Sequence, residues 1–265
     1  MNDANSALFE IRDISVRFGG LMAASEVSFA VQKGEIFGLI GPNGAGKTTI
    51  FNVITGSIVP NQGDILLEGQ SLLGKRPDQI ARSGVSRTFQ NIRLFSQMTV
   101  AENVAIGLHC QPAYSRLEAM LGLPKVHRAE RKVQKKVDTM LEVFGLSQHR
   151  DQRAGNLAYG LQRKLEIARA LATSPKLLLL DEPAAGMNND ECFELEELLR
   201  SIRRSFDATI VIIEHHIDLM MSLCDRICVL NLGKVLRIDT PAEIQQDEAV
   251  IQSYLGSRRE HENEQ

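Results

Sequence analysis

Residues Gly41 to Thr48 read Gly-Pro-Asn-Gly-Ala-Gly-Lys-Thr, which fits the spacing G-x-x-x-x-G-K-[S/T] of a phosphate-binding loop. Glycines let a backbone curl so that successive N–H groups face an anion. Lys47 supplies a positive charge for β- and γ-phosphates, and the Thr48 hydroxyl can ligate Mg²⁺. Gly41, Pro42, Asn43, Gly44, Ala45, Gly46, Lys47, Thr48 and Thr49 are therefore candidate ATP-binding residues. A second cluster follows the apolar run Leu177–Leu180. Asp181 can hold Mg²⁺ through its water shell, and Glu182, which points differently, can polarise an attacking water. Two carboxylates alone would read as caps on a strand end; beside a phosphate loop they read as metal-binding and catalytic. His215 ends a third apolar run, Thr209–Ile213. A strand-end histidine is either structural or, here, a γ-phosphate contact. His216 reads as its neighbour. Lys47, Glu182 and His215 are the candidate catalytic set.

These groups need elements to position them. Ile36–Ile40 is an apolar run of strand length, and Lys47–Gly56 has helical character, so the glycine loop lies between strand and helix. That helix aims its N-terminus at the same anion. Leu8–Phe18, Val27–Val31, Gly63–Gly69 and Val85–Phe89 read as further strands, and Ile80–Ser83 as a short helix. Helices are expected over Leu161–Leu171, Glu191–Phe206 and His216–Cys224, and a hairpin over Ile227–Asn231 and Lys234–Ile238. Apolar strands alternating with helices imply an α/β fold with a mostly parallel sheet covered on both faces. From Thr99 the texture turns helical. Val126, Val133, Val137, Met140, Leu141 and Phe144 form one apolar stripe, with Glu130 out of place in it. The opposite face carries Lys125, Arg128, Arg131, Lys132, Lys135 and Lys136. A solvated helix face explains this charge better than a membrane or partner surface. Residues 91–155 thus read as a helical subdomain inserted between core segments 1–90 and 156–240, with a tail over 241–265.

Composition narrows the class. The 265 residues suffice for one large core, or one core with a small satellite. A net charge of −3 argues against nucleic acid as a partner. No apolar run approaches the roughly 18 residues that span a bilayer. Met1–Phe9 lacks a secretory pattern, so a cytoplasmic location is expected. Cys110, Cys192, Cys224 and Cys228 lack metal-site spacing and read as buried, reduced thiols. Ser257–Gln265 is charged and reads as a frayed end.

The ordered set of motifs resembles the ATP-binding subunits of ABC transporters over nearly the whole chain. Gly41–Thr48 is similar to Walker A, and Leu177–Glu182 to Walker B with its catalytic glutamate. Phe89-Gln90 resembles the Q-loop, Ala185–Asn188 the D-loop, and His215 the switch histidine. Leu157, Ala158, Tyr159, Gly160, Leu161 and Gln162 resemble the signature, which in this family completes the ATP site of the opposite subunit. Phe18 matches the aromatic that stacks on adenine, with a core or edge-strand phenylalanine as the alternative. The resemblance implies an ATPase core with an antiparallel β subdomain and a helical insert. It makes Gln90 a nucleotide and Mg²⁺ contact that senses the γ-phosphate.

A subgroup resemblance is to the high-affinity branched-chain amino-acid importer ATPases. It rests on "RFGGL" at Arg17–Leu21, "RTFQNIRLF" at Arg87–Phe95, "NLAYG" at Asn156–Gly160 and "LEIARA" at Leu165–Ala170. "DEPAAGMN" at Asp181–Asn188, "IEHHIDLM" at Ile213–Met220 and "IQSYLG" at Ile251–Gly256 extend it. It implies a second ATPase subunit, two transmembrane permease subunits, a periplasmic solute-binding protein and a place on the cytoplasmic face of the inner membrane. Other ABC systems, for lipopolysaccharide export or for urea or aromatic-acid uptake, are the alternatives. A non-transport ABC protein is a further one, though such chains tend to carry two motif sets or a long coiled coil. Two positions depart from the general signature: Ala158 replaces a serine and Leu161 a glutamine. Each lost polar contact to a charged group costs about 1–3 kcal/mol, so the site this signature completes is expected to be weaker than usual.

Overall fold

The structure, a computed structural model, describes residues 7–108 and 124–254. Cys110, Leu255-Gly256 and Ser257–Gln265 lie outside the described residues. The chain forms two compact units, Met1–Arg87 with Lys176–Gln265, and Thr88–Pro175.

The first unit holds two sheets. One is antiparallel, in the order β2 (Leu21–Val31), β1 (Phe9–Phe18), β4 (Gln62–Leu67), β5 (Gln70–Ser71). The other runs β10 (Lys234–Asp239), β9 (Arg226–Asn231), β3 (Ile36–Ile40), β8 (Thr209–Ile213), β7 (Leu177–Asp181), β6 (Val85–Arg87). It is parallel from β9 through β6, and only β10 is antiparallel to its neighbour. Strands β3, β7 and β8 are buried along their whole length, as their continuous apolar sequences require. The helices of this unit are α1 (Lys47–Ile54), α2 (Pro77–Ser83), α6 (Asn189–Phe206), α7 (Ile217–Leu223) and α8 (Pro241–Gln246). Ile50, Phe51 and Ile54 of α1 enter the same core as Phe9, Phe29 and Phe37. The rings of Phe29 and Phe37 stack 5.1 Å apart. Each side chain buried to this degree stabilises the fold by about 1.5–3 kcal/mol.

The second unit contains α3 (Val100–Leu108), α4 (Pro124–Val143) and α5 (Tyr159–Ala172). Gly107 lets α3 approach α5 closely, since a Cβ there would lie 2.5 Å from the Arg169 carbonyl oxygen. Val126, Val137, Met140 and Leu141 of α4 are buried, while Arg128, Arg131, Lys132, Lys135 and Lys136 are exposed.

The differences from the sequence reading are local. Strand β2 begins at Leu21 rather than Val27, because its first residues pair with the exposed end of β1 and need no apolar alternation. Strand β6 stops at Arg87 rather than Phe89. The unit that begins at Thr88 continues through α5 to Pro175, beyond residue 155, because α5 packs against α3. Helix α8 is an additional element, and Thr240-Pro241 followed by Glu243 is its helix-start pattern.

Candidate functional site

In the first unit the phosphate-binding loop joins the end of β3 to α1. Its glycines Gly41, Gly44 and Gly46 have positive φ, and two of them also abut neighbouring backbone. Gly41 has φ 152°, and a Cβ there would lie 2.1 Å from the Leu230 carbonyl oxygen of β9. Gly46 caps α1 with φ 100°, and a Cβ there would lie 2.5 Å from the Ala23 carbonyl oxygen. The β9–β10 turn braces the loop from outside: the Gly233 N–H donates to the Ala45 carbonyl, and the Gly233 carbonyl accepts from the Ser25 N–H. Lys47 is 6% exposed, and its Nζ donates to the carbonyl oxygens of Gly41 (2.6 Å) and Pro42 (3.0 Å). Burial lowers its pKa, and the nearby charges of Glu182 and Asp181 oppose that shift. Thr48 is exposed in the first turn of α1, with Thr49 half-buried behind it.

Asp181 ends β7 and is 5% exposed. Its Oδ2 accepts from Arg87 Nη2 at 2.6 Å. Arg87 also donates to Asn52 Oδ1 at 2.8 Å and lies over the Phe51 ring, 5.4 Å from its centroid. Glu182 follows with φ 48°, a left-handed conformation that costs a residue with a side chain about 1–3 kcal/mol and is concentrated at functional sites. Its N–H donates to the Ile213 carbonyl, which ties it to the end of β8. There His215 Nε2 lies 2.9 Å from Glu182 Oε1. Glu214 supports both loops from inside: its buried carboxylate accepts from the N–H groups of Ala184 (2.5 Å) and His215 (3.0 Å). Asn188 caps α6 reciprocally with Glu191 and so ends the Ala185–Asn188 loop. Thr48 and Asp181 are a hydroxyl and a carboxylate, the oxygen donors Mg²⁺ prefers, and so suit that ion. Phe18 is 49% exposed at the end of β1, so it is not a core residue; an exposed strand-end phenylalanine and an adenine contact both fit this placement.

In the second unit Gln90 is exposed in the segment after β6. Leu157 is buried, Ala158 and Tyr159 are exposed, and Gly160, Leu161 and Gln162 are half-buried at the start of α5. Ala158 is the N-cap of α5, and no side chain caps this end. A serine there would accept one of the free helix N–H groups. Gln162 instead folds back, its Nε2 donating to the Leu157 carbonyl at 2.8 Å.

Reasoning from sequence singled out neither Arg87, Glu214, Arg163 nor Glu166. The available signal was a charged residue within or next to a buried apolar pattern, which needs a partner that the pattern does not name. The four cysteine readings divide. Cys224 and Cys228 are buried thiols, with burial pushing Cys228 up to about 12 and Cys224 in the same direction; Cys192 is half-buried, and Cys110 is outside the described residues. Among the described residues no helix is long and apolar enough to cross a membrane.

Comparison with known proteins places this geometry. The family model described as ABC transporter matches residues 24–185, and one described as branched-chain amino acid ATP-binding cassette transporter matches residues 239–260. The high-affinity branched-chain amino acid transport ATP-binding protein LivG of Escherichia coli (strain K12) is 46% identical over 249 residues, 94% of this chain and 98% of that protein. BraF of Pseudomonas aeruginosa, with the same description, is 42% identical over the same shares. The lipopolysaccharide export system ATP-binding protein LptB of Acidithiobacillus ferridurans is 34% identical over 96% of this chain and 98% of that protein. Among solved structures, the ADP conformation of an ATP-binding cassette of an ABC transporter is similar with a TM-score of 0.81 and 31% identity, covering 95% of this chain and 100% of that one. The chain therefore belongs to the ABC transporter family, as one of its ATP-binding, ATP-hydrolysing proteins.

Proposed function

We propose that this chain is the ATPase subunit of an importer for branched-chain amino acids or related solutes. It would work at the cytoplasmic face of the inner membrane, with a second ATPase subunit and two transmembrane permease subunits fed by a periplasmic solute-binding protein. The solute reading is carried by the match at residues 239–260 together with the likeness to LivG and BraF; it favours uptake over the lipopolysaccharide export of the more distant LptB.

The chemistry rests on one observation, the 2.9 Å contact between His215 Nε2 and Glu182 Oε1, with the Glu182 charge also felt by buried Lys47. Phosphoryl transfer requires positioning and charge neutralisation more than covalent help. Lys47 leaves the Gly41 and Pro42 carbonyls for phosphate oxygens, which offer a full counter-charge. Phe18 stacks on adenine. Thr48 and Asp181 would hold Mg²⁺, which would supply positive charge against the phosphates. Glu182 orients a water toward the γ-phosphorus and accepts its proton as the bond to the β-phosphate oxygen breaks, giving ADP and phosphate. His215 fixes the Glu182 carboxylate and contacts the γ-phosphate. Gln90 senses that phosphate, and the signature Leu157–Gln162 serves the nucleotide of the partner subunit.

Glu182→Gln tests the assignment. Turnover should fall at least about a hundredfold, while ATP binding, followed with a fluorescent analogue, stays within about twofold of wild type. Hydrolysis at the wild-type rate would remove Glu182 from this role.

A further inference from the structure

Arg163 is the largest fully buried side chain of the described protein, and Glu166, one helical turn on, is 2% exposed. Burying an ion pair costs desolvation that mutual attraction repays only with good additional hydrogen bonds. Here those bonds go to backbone more than seventy residues away in sequence. Arg163 Nη1 donates to the Phe89 carbonyl at 2.7 Å and to Glu166 Oε2 at 2.8 Å, and its Nη2 donates to the Gln90 carbonyl at 2.7 Å. Glu166 Oε1 accepts from the Arg93 N–H at 3.1 Å. The Arg93 guanidinium lies 4.0 Å from the centroid of the Phe89 ring, which closes the segment on itself. Arg163 also lies near Tyr159 of the signature, whose hydroxyl is 3.2 Å from Nη2.

We infer that Arg163 and Glu166 are positioning residues that lock the backbone of Phe89, Gln90 and Arg93 to the signature helix α5, so that Gln90 and the signature move as one body. The guanidinium is suited to this because its fork donates two separate bonds to two successive carbonyls, which an ammonium cannot do in the same geometry. The consequence for function rests on the γ-phosphate role proposed above for Gln90. A γ-phosphate sensed at Gln90 would then set, through these side-chain bonds, the signature that serves the partner's nucleotide.

Three variants of the full chain separate positioning from simple stability. Arg163→Met leaves Glu166 buried without its cation and should lower the melting temperature. The double variant Arg163→Met with Glu166→Leu removes both charges and should recover most of that loss. It should still lack the anchor, so the Arg93 amide should exchange at least about tenfold faster than in wild type, while amides of β7 stay protected. Turnover at saturating ATP should fall about tenfold with the affinity for a fluorescent ATP analogue unchanged. Arg163→Lys should lie between. A double variant with wild-type exchange at Arg93, or with wild-type turnover once stability is recovered, overturns the inference. If the wild-type chain itself hydrolyses no ATP, the ATPase reading fails, and the exchange measurement still decides the anchor.

Discussion

The phosphate-binding loop and the Phe89–Phe95 segment are both irregular backbone next to regular elements, and they are held in opposite ways. The first is shaped by its own residues. Gly41 and Gly46 adopt positive φ, and Lys47 donates to carbonyls five and six residues before it. The second has a contact of its own, Arg93 over the Phe89 ring, and is otherwise anchored from outside. Its carbonyls and N–H groups are taken by buried side chains from helices: Arg163 and Glu166 from α5, and Asn103 from α3. Arg169 adds a further bond to the Arg93 carbonyl. A loop that must wrap an anion turns N–H groups toward it, so its conformation comes from glycine φ values and from bonds to its carbonyls. A loop that must hold one side chain in place can spend its backbone groups on anchors.

Three substitutions sharpen this contrast. Gly41→Ala has the largest expected effect: the new methyl would meet the Leu230 carbonyl oxygen at 2.1 Å in a backbone region that side chains avoid. A loss of about 3 kcal/mol in thermal unfolding and loss of nucleotide binding are expected. An unchanged melting temperature with normal ATP binding would show that the loop is not shaped by this glycine. Asn103→Ala tests the other loop. Asn103 is fully buried, accepts from the Phe95 N–H at 3.0 Å and donates to the Phe95 and Thr99 carbonyls. Its removal should cost about 2 kcal/mol by denaturant unfolding and free the Phe95 amide to exchange, without altering ATP affinity. Loss of ATP affinity instead would break the separation between the two regions. Leu161→Gln has the smallest effect. If the signature serves a partner's nucleotide, the restored amide should raise turnover of the assembled ATPase by about fivefold, near 1 kcal/mol, and leave the affinity of the isolated chain unchanged.

The same contrast explains what was legible in the sequence. The run Gly41–Thr48, the fully apolar strands β3, β7 and β8, and the carboxylates and histidine at their ends were all readable, because spacing of three to eight residues sets those conformations. Those residues alone determined an α/β phosphate-binding core with Asp181, Glu182 and His215 at strand ends. The partners of these groups were not readable. Arg87 meets Asp181 across 94 positions, Glu214 meets Ala184 across 30, and Arg163 meets Gln90 across 73. Such pairs leave no periodic trace, because a buried charge needs a counter-group in space and not at a fixed distance along the chain. Only the tertiary structure decided them, and with them the orientation of the Asp181 and Glu182 carboxylates and the anchoring of Gln90 to the signature helix.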